Sequence, residues 1–342
     1  YELAVVTNAG TLTSTNNNLS GAEHRYYLFD DAENNFAELA SSRISFDPGS
    51  GRREAVYGNV ALGDVDGDSI DEVVLAGMNQ IGGINSSAPM SSFRHAVQVL
   101  DDAKRSFTLL AETSTPVLLD NTELPPDGER YSEDSGTQQA MNHVALTTAD
   151  VDGDGDLDLL SYWGDVTILL SKGAGEFTAA PALVTGEVLG AIAIGMDVAD
   201  FDGDGAVDVA VTDWPRGPVS SRIEVFYGVG DGSFISGAGP FTVSGATEAM
   251  RTADINCDGL LDLLIPIAGG SLAVAYGQSD GRLGEPVEFE TDSGSNAVLF
   301  SDFDQDGRLD LMVSYFNGYA GLFYDICNQE FTTFVEHGTV ET

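Results

Sequence analysis

The sequence predicts an all-β fold, and three observations support this expectation. Short runs of β-branched and aromatic residues recur along the whole chain, separated by turn residues. Glycine accounts for 40 of the 342 residues, which is typical of a protein with many tight turns. A nine-residue acidic motif begins at residues 64, 150, 200, 254 and 302, so most intervals hold about 50 residues, enough for four short strands. Such a repeat is typical of a β-propeller of four-stranded antiparallel blades.

We predict one propeller domain over residues 1–342, with six blade-like units in this chain. In each unit a strand of small and apolar residues leads into the acidic motif, a hydrophobic strand follows it, and an aromatic, β-branched third strand precedes a short fourth one. The first unit lacks an inner strand and a whole motif, so either residues precede Tyr1 and the propeller has seven blades, or the ring closes imperfectly. The units cover approximately 1–48, 49–115, 142–187, 188–243, 244–291 and 292–342, with an insertion at approximately 113–141.

The charge of the chain excludes several classes of partner. With 55 acidic and 14 basic residues the formal net charge is −41, and such a surface repels nucleic acids and anionic membranes. No apolar run approaches the roughly 20 residues that span a bilayer, so we expect no direct membrane insertion. The two cysteines, Cys257 and Cys327, form either one disulfide or two free thiols, and the sequence leaves both alternatives open.

Each acidic motif places side-chain oxygens at positions 1, 3, 5 and 9 of one short loop. Carboxylates this close repel one another unless a cation lies among them. Ca²⁺ takes roughly six to eight oxygen ligands in a flexible geometry, whereas Mg²⁺ demands a stricter octahedron. We therefore predict about five Ca²⁺ ions, one in each motif, with the position-7 backbone carbonyl as a further ligand. The predicted ligands are Asp64, Asp66, Asp68, Ile70 and Glu72; Asp150, Asp152, Asp154, Asp156 and Asp158; Asp200, Asp202, Asp204, Ala206 and Asp208; Asp254, Asn256, Asp258, Leu260 and Asp262; and Asp302, Asp304, Asp306, Arg308 and Asp310.

Two other structures share this spacing. An EF-hand shares the first half of the spacing, but strands rather than helices flank these loops and position 12 carries no glutamate, so we reject it. The second alternative is a set of Asx turns that hold tight hairpins without metal. Because the same acidic cluster occurs in five separate places, we favour the cation over metal-free turns.

Three motifs, at 150–158, 200–208 and 302–310, match the pattern D-x-D-x-D-G-x-x-D in full. The other two depart from it: Ser69 and Glu72 replace the usual residues in the first, and Asn256 stands at position 3 of the fourth, where we expect weaker binding. These units resemble the FG-GAP/VCBS repeats of integrin α-subunit propellers and of many bacterial secreted proteins. The resemblance implies a calcium-binding propeller that is secreted or lies at the cell surface, but it implies no particular partner.

The longest connections are expected on one face of the propeller. The extra residues lie between the second and third strands of the first two units and in the insertion at 113–141, whereas the acidic loops emerge on the opposite face. Elaborated loops on a rigid scaffold usually carry binding sites. We therefore expect an extracellular, non-catalytic module for binding, adhesion or structure, which contacts a protein or glycan ligand through this long-loop face or self-associates.

Two alternatives stand beside this expectation: a secreted polysaccharide-acting enzyme, either a lyase or a hydrolase, and a subunit of a surface filament. An enzyme would use His24, His95 and His143 on the long-loop face, although no G-x-S-x-G, H-E-x-x-H or P-loop motif occurs. The sequence does not decide the ligand or the oligomeric state. Four aromatic residues either stack on a sugar or pack between blades: Trp163, Trp214, Tyr315 and Tyr319.

Overall fold

The structure, a computed structural model, shows an all-β protein, as predicted. In the part of the chain that it describes, every regular element is a β-strand except for a 3₁₀ helix at Ile326–Asn328. No helix among these residues is long and apolar enough to cross a membrane. The described residues are 3–9, 23–29, 38–43, 52–67, 72–81, 93–101, 108–116, 145–163, 165–173, 175–183, 192–214, 220–237, 240–245, 247, 249–268, 270–291, 294–315 and 320–328.

The strands form six sheets, and each sheet is built from consecutive strands that lie side by side in chain order, as expected of a blade. The one departure is in the fourth sheet, where β15 and β16 both pair with β14, β15 along 226–228 and β16 along 221–223. The sheets are β1 (Leu3–Ala9), β2 (Glu23–Phe29) and β3 (Glu38–Arg43); β4 (Arg52–Gly63), β5 (Glu72–Ile81), β6 (Phe93–Asp101) and β7 (Thr108–Pro116); β8 (Ala145–Ala149), β9 (Asp158–Trp163), β10 (Asp165–Ser171) and β11 (Phe177–Ala179); β12 (Ile192–Ala199), β13 (Asp208–Trp214), β14 (Ser221–Gly228), β15 (Phe234–Ser236) and β16 (Phe241–Val243); β17 (Arg251–Ala253), β18 (Asp262–Ile267), β19 (Ser271–Ala275) and β20 (Val287–Glu290); and β21 (Ser295–Ser301), β22 (Asp310–Tyr315) and β23 (Ala320–Phe323).

The second strand of a sheet is buried on both faces, as β18 illustrates, because all six of its residues are buried. Side chains alternate across a strand. Accordingly Leu263 shares a core cluster with Ile223 of the preceding sheet, whereas Leu264 shares one with Leu311 of the following sheet. The fourth, fifth and sixth sheets therefore stack face to face, which explains why the sequence shows continuous hydrophobic runs here instead of an apolar–polar alternation.

The chain forms two compact units, and each has its own core. In the first unit the core contains Val65, Val74, Val99, Leu159 and Leu169. In the second unit two clusters form, one on each side of β18. The first unit comprises Tyr1–Thr148, Gly155–Gly164 and Ile168–Ala179, and the second comprises Ala149–Asp154, Asp165–Thr167 and Ala180–Thr342.

The observed strands extend into the predicted insertion at one place. Strand β7 continues to Pro116, so residues 113–116 pair with β6 instead of leaving the sheet. This stretch holds two threonines and ends in a proline, which the outermost strand of a sheet tolerates. The rest of the insertion and the long connections of the first two units lie outside the described residues. The unit boundaries and the number of blades therefore stay predictions.

Candidate metal centres in the acidic loops

Five acidic loops each join the strand before the motif to the strand after it. In chain order, the first loop is 64–72, the second 150–158, the third 200–208, the fourth 254–262 and the fifth 302–310. The third loop, for example, joins β12 to β13, and its ninth position, Asp208, is the first residue of β13. In the first loop, Asp68 and Ile70 lie outside the described residues.

Carboxylates converge in four of the loops. In the first three loops, one oxygen from each of positions 1, 3 and 9 lies within 4.8 Å of the other two, and in the fifth loop positions 1, 3 and 5 do so. Because Ca²⁺–O distances are about 2.3–2.6 Å, two ligands of one ion lie at most roughly 5 Å apart. These clusters therefore have the dimensions of a single-cation site. Their members are Asp64, Asp66 and Glu72; Asp150, Asp152 and Asp158; Asp200, Asp202 and Asp208; and Asp302, Asp304 and Asp306.

Some predicted ligands stand outside these clusters. Position 5 of the second and third loops, Asp154 and Asp204, is exposed and belongs to neither cluster. The side chain of Asp156, for which we predict only a backbone role, lies beside the first loop, since an ideal Cβ built on Gly67 would be 3.5 Å from Asp156 Oδ1. The coordinating role of the position-7 carbonyls, including that of Arg308, stays a prediction.

Backbone N–H groups orient the carboxylates from within each loop. In the third loop, Asp204 and Gly205 N–H donate to the two oxygens of Asp200 at 3.0 and 2.9 Å, and Ala206 N–H donates to Asp204 Oδ1 at 2.8 Å. The corresponding bonds recur in the fourth and fifth loops. The Asx-type turns of the metal-free alternative are thus present, and Asp200 of the third loop and Asp302 and Asp306 of the fifth loop both form such turns and belong to the cation clusters.

The fourth loop differs from the others in charge. Asn256 occupies position 3, where its Nδ2 donates to Asp258 Oδ2 at 3.1 Å and its Oδ1 accepts the Asp258 N–H at 2.9 Å. The loop thus keeps the backbone bonds of its neighbours with one carboxylate fewer. Because calcium affinity depends on ligand charge, weaker binding at this loop stays our prediction.

The carboxylate at position 9 has a second role that the spacing does not indicate. Asp208 is 0% exposed, and its two oxygens accept N–H bonds from Phe201 and Gly228, both at 2.7 Å. Phe201 is position 2 of the same loop, whereas Gly228 ends the third strand of the sheet, β14. Asp262 and Asp310 accept bonds from the corresponding two positions. The ninth carboxylate therefore closes the loop and ties it to the third strand.

Sequence reasoning missed the residues that donate this second bond. Two of them are glycines because the third strand passes very close to the loop. An ideal Cβ on Gly228 would lie 2.2 Å from Val207 O, and one on Gly277 would lie 2.6 Å from Leu261 O. The tyrosine–glycine pairs at 227–228 and 276–277 were the available signal in the sequence. The donors are Ser171, Gly228, Gly277 and Asp325.

We expect Gly228→Ala to lower the free energy of unfolding by about 2–4 kcal/mol, because the new methyl group meets a backbone oxygen that cannot move without opening the loop. Urea denaturation measures this loss. The matched control is Gly259→Ala in the fourth loop, where φ is +87° and nothing lies within 4 Å of the added Cβ. There we expect only backbone strain of about 1 kcal/mol. Equal losses in the two variants would contradict the close approach.

Burial changes the pKa of the carboxylate at position 9 of the third loop, Asp208. It raises the pKa of Asp208 to about 6, against the lowering effect of the N–H bonds from Gly228 and Phe201 and with a smaller contribution from the charges of Asp202 and Asp200. A cation that binds the ionised cluster must displace this proton when the pH lies below the pKa.

Calcium binding at the third loop is therefore expected to release protons near pH 6 and to weaken about tenfold between pH 7 and pH 5, as the ionised fraction of Asp208 falls from about nine-tenths to about one-tenth. Calorimetric titration in two buffers with different ionisation enthalpies measures the protons released per ion. Binding without proton release at pH 6 would show that Asp208 is already ionised in the metal-free protein.

The candidate histidines lie in different sheets. His24 is part of β2 and His95 is part of β6, whereas His143 lies outside the described residues. Their convergence on one site and their catalytic role stay predictions of the alternative function.

Of the four aromatic residues singled out in the sequence, the structure assigns packing to Tyr315. Tyr315 is 7% exposed and packs in the core cluster that contains Ile255 and Ile326, so packing rather than sugar stacking accounts for it. Trp163 and Trp214 are the last residues of β9 and β13. Tyr319 lies outside the described residues.

The two cysteines form one disulfide. Cys257, at position 4 of the fourth loop, is bonded to Cys327 in the 3₁₀ helix, across a separation of 70 residues. Of the two alternatives that the sequence left open, the bridged state is the one that the structure contains.

Comparison with known structures defines the class of protein. The structure is similar to the Dos1 propeller over 94% of the chain, with a TM-score of 0.53 and 12% sequence identity. It is also similar to rhamnogalacturonan lyase YesW over 99% of the chain, with a TM-score of 0.50 and 14% identity. At these identities the similarity shows the fold alone: the chain is a β-propeller, as predicted. It spans 66% and 55% of the lengths of these two structures.

The sequence comparison adds the repeat family. Residues 150–211, which include the second and third loops, match the model of the FG-GAP-like repeat. The protein is therefore a β-propeller that carries an FG-GAP-like repeat, and the resemblance inferred from the acidic motifs is confirmed over these residues. A search of curated proteins finds no match.

Proposed function

We propose that this protein is an extracellular calcium-binding β-propeller that serves as a binding, adhesion or structural module, with a protein or glycan ligand on the long-loop face. The observation that carries the proposal is the convergence of three carboxylates within 4.8 Å in each of four loops. Such clusters are costly in a protein with a net charge of −41 unless a cation offsets their repulsion.

The residues present fit Ca²⁺ in both chemistry and size. Every side-chain donor in the four clusters is a carboxylate oxygen, the hard ligand that Ca²⁺ prefers, and the separations match one coordination sphere. A bound ion would supply positive charge to the carboxylates at positions 1, 3 and 9 in the first three loops, and at positions 1, 3 and 5 in the fifth loop. The protein's own contribution is the set of backbone N–H bonds that orient positions 1 and 5 and hold position 9 against the third strand.

One further observation supports an extracellular place of action. The Cys257–Cys327 disulfide is the kind of bond that persists in oxidising compartments. Calcium sites of extracellular modules work at calcium concentrations that the cytosol does not offer, with dissociation constants of about 10⁻⁴–10⁻³ M. A rigid propeller whose cations stabilise one end of its sheets leaves the other connections available for a ligand.

Terbium luminescence tests the calcium proposal at the third loop. Tyr227 directly precedes Gly228, whose N–H donates to Asp208 Oδ1 at 2.7 Å, so this phenol lies close enough to the cluster to transfer excitation to a bound lanthanide. We expect Tb³⁺ emission on tyrosine excitation, displacement of that emission by Ca²⁺, and a marked loss in Asp202→Asn. The control Tyr227→Phe should lose the third loop's share of the sensitised emission while calcium affinity stays unchanged. Emission that Ca²⁺ does not displace would refute the site.

The enzyme alternative needs a separate test. One similar structure is named as a rhamnogalacturonan lyase, but at 14% identity its activity is not transferred to this chain. A panel of polysaccharides assayed for product release, with His24, His95 and His143 each changed to Ala, separates the two functions. Absence of product supports the binding module. Product release that the histidine variants lose would replace the module with a secreted polysaccharide-acting enzyme.

A further inference from the structure

One short segment, Asp325–Asn328, holds two neighbouring acidic loops at once, and we call it the clasp. Its Cys327 is joined to Cys257 of the fourth loop, with the two Cα atoms 5.4 Å apart. Its Ile326 is 1% exposed and packs in the same cluster as Ile255, which is position 2 of the fourth loop. The fourth loop is therefore fixed to the clasp by a covalent bond and by a buried apolar contact.

The same segment contacts the fifth loop through two hydrogen bonds from its backbone N–H groups and an ion pair. Asp325 N–H donates to Asp310 Oδ1 and Ile326 N–H donates to Leu309 O, both at 3.0 Å. Arg308, at position 7 of the fifth loop, forms ion pairs with Asp325 of the clasp and with Asp306 of its own loop. The guanidinium thus already places positive charge beside the fifth cluster.

Earlier loops meet the following sheet by weaker contacts. Ser171 Oγ donates to Val65 O of the first loop at 2.8 Å, and Gly232 N–H donates to Val151 O of the second loop at 3.1 Å. The clasp occupies the corresponding place between the last two described sheets. Among the described residues, only there does a covalent bond join a loop to the following sheet.

The fourth and fifth loops, which the clasp holds, are also those whose backbone conformation at position 4 is least favourable for the residue present. Position 4 takes a positive φ, and glycine meets this need in the first three loops. In the fourth and fifth loops the position is held by Cys257 (φ 56°) and Gln305 (φ 61°), residues that seldom adopt this conformation. The fourth loop has, in addition, lost a carboxylate to Asn256. The attachment to the clasp therefore offsets the unfavourable φ at position 4 in both loops and the missing carboxylate in the fourth.

We propose that Asp325–Asn328 is a redox-sensitive clasp that keeps the fourth and fifth loops folded after calcium has left, and that a small dithiol opens it. This inference rests on the proposed calcium function of the loops. Cys257 is exposed, so a thiolate of the dithiol can attack one sulfur of the bridge and form a mixed disulfide. The second thiol of the reagent then closes its own ring, and two protons pass to the released Cys257 and Cys327, which leave as thiols while the dithiol is oxidised to a disulfide.

Hydrogen exchange of the full chain, read by mass spectrometry on peptides covering the third, fourth and fifth loops, tests the clasp. The samples contain calcium or EDTA, each with the disulfide intact, reduced by a dithiol and alkylated, or removed in Cys257→Ser/Cys327→Ser. With the disulfide intact, we expect EDTA to speed exchange in the third loop by at least about tenfold and to leave the fourth and fifth loops almost unchanged. Reduction or the double substitution should then speed exchange in those two loops as well.

A matched variant separates the two halves of the clasp. Arg308→Gln removes the ion pairs and leaves the disulfide, so in EDTA it should speed exchange in the fifth loop and spare the fourth. The melting curve of the double cysteine variant in calcium shows that it is folded. Equal exchange in all three loops in EDTA with the disulfide intact overturns the clasp. If EDTA leaves even the third loop unchanged, the calcium function fails instead, and the clasp is overturned unless reduction alone speeds exchange in the fourth and fifth loops.

Discussion

Asp208→Ala is expected to lower the free energy of unfolding by about 4 kcal/mol even in EDTA, where no cation contributes. The residue is fully buried, and each of its oxygens accepts a backbone N–H at 2.7 Å. Alanine would leave the N–H groups of Phe201 and Gly228 buried without an acceptor, at about 1–3 kcal/mol each. It would also detach the third loop from β14. The expected decrease in the free energy of unfolding therefore arises from lost hydrogen bonds. When calcium is present, the loss of a calcium ligand adds to it.

The comparison with Asp204→Ala isolates this effect. Asp204 belongs to the same loop, but its side chain is exposed and its Oδ1 accepts the N–H of Ala206 within the loop. Urea denaturation in EDTA should show a loss of no more than about 1 kcal/mol for this control. Similar losses in the two variants would show that the ninth carboxylate does not tie the loop to the third strand.

Removal of calcium is expected to lower the melting temperature by roughly 20–30 °C. A site that binds only the native state stabilises it by about 2.7 kcal/mol at a hundredfold excess of ligand over the dissociation constant, and several such sites add up. For a domain of this size, each kcal/mol corresponds to about 2 °C. The −41 net charge acts in the same direction, because the repulsion that the cations offset returns when they leave.

Differential scanning calorimetry in EDTA, followed by addition of excess Ca²⁺ or Mg²⁺, measures this effect. Ca²⁺ should restore the melting temperature, and Mg²⁺ at the same free concentration should restore much less, since the smaller ion demands a stricter geometry. A melting curve that EDTA leaves unchanged would count against a metal role for the loops and would favour Asx turns that hold hairpins without metal.

The sequence was sufficient to predict the propeller and the loops because both depend on local periodicity. The acidic spacing repeats within nine residues, and each repeat sits between two hydrophobic runs, so the position of every loop between two strands follows from the order of residues. Positions 1 and 3, which belong to every cluster, are only two residues apart, so the spacing of the motif is enough to predict that they lie together.

What the sequence could not predict depends on contacts between distant residues. The second partner of Asp208 arrives from Gly228, 20 residues further on, and nothing in the spacing indicates that the third strand passes against the loop. The bond between Cys257 and Cys327 spans 70 residues and joins consecutive sheets. The ion pair between Arg308 and Asp306 was not predicted, because the sequence analysis gave position 7 only a backbone role.

The number of calcium ions bound at saturation tests the central idea most directly. Equilibrium dialysis of the full chain against calcium buffers, with the bound metal counted by mass spectrometry, gives this number. We expect about five ions per chain, as the five acidic motifs imply, and about one fewer in a variant with both Asp200→Asn and Asp202→Asn. Saturation at less than one ion per chain would mean that the clustered carboxylates are turn formers, and that calcium has no part in this propeller.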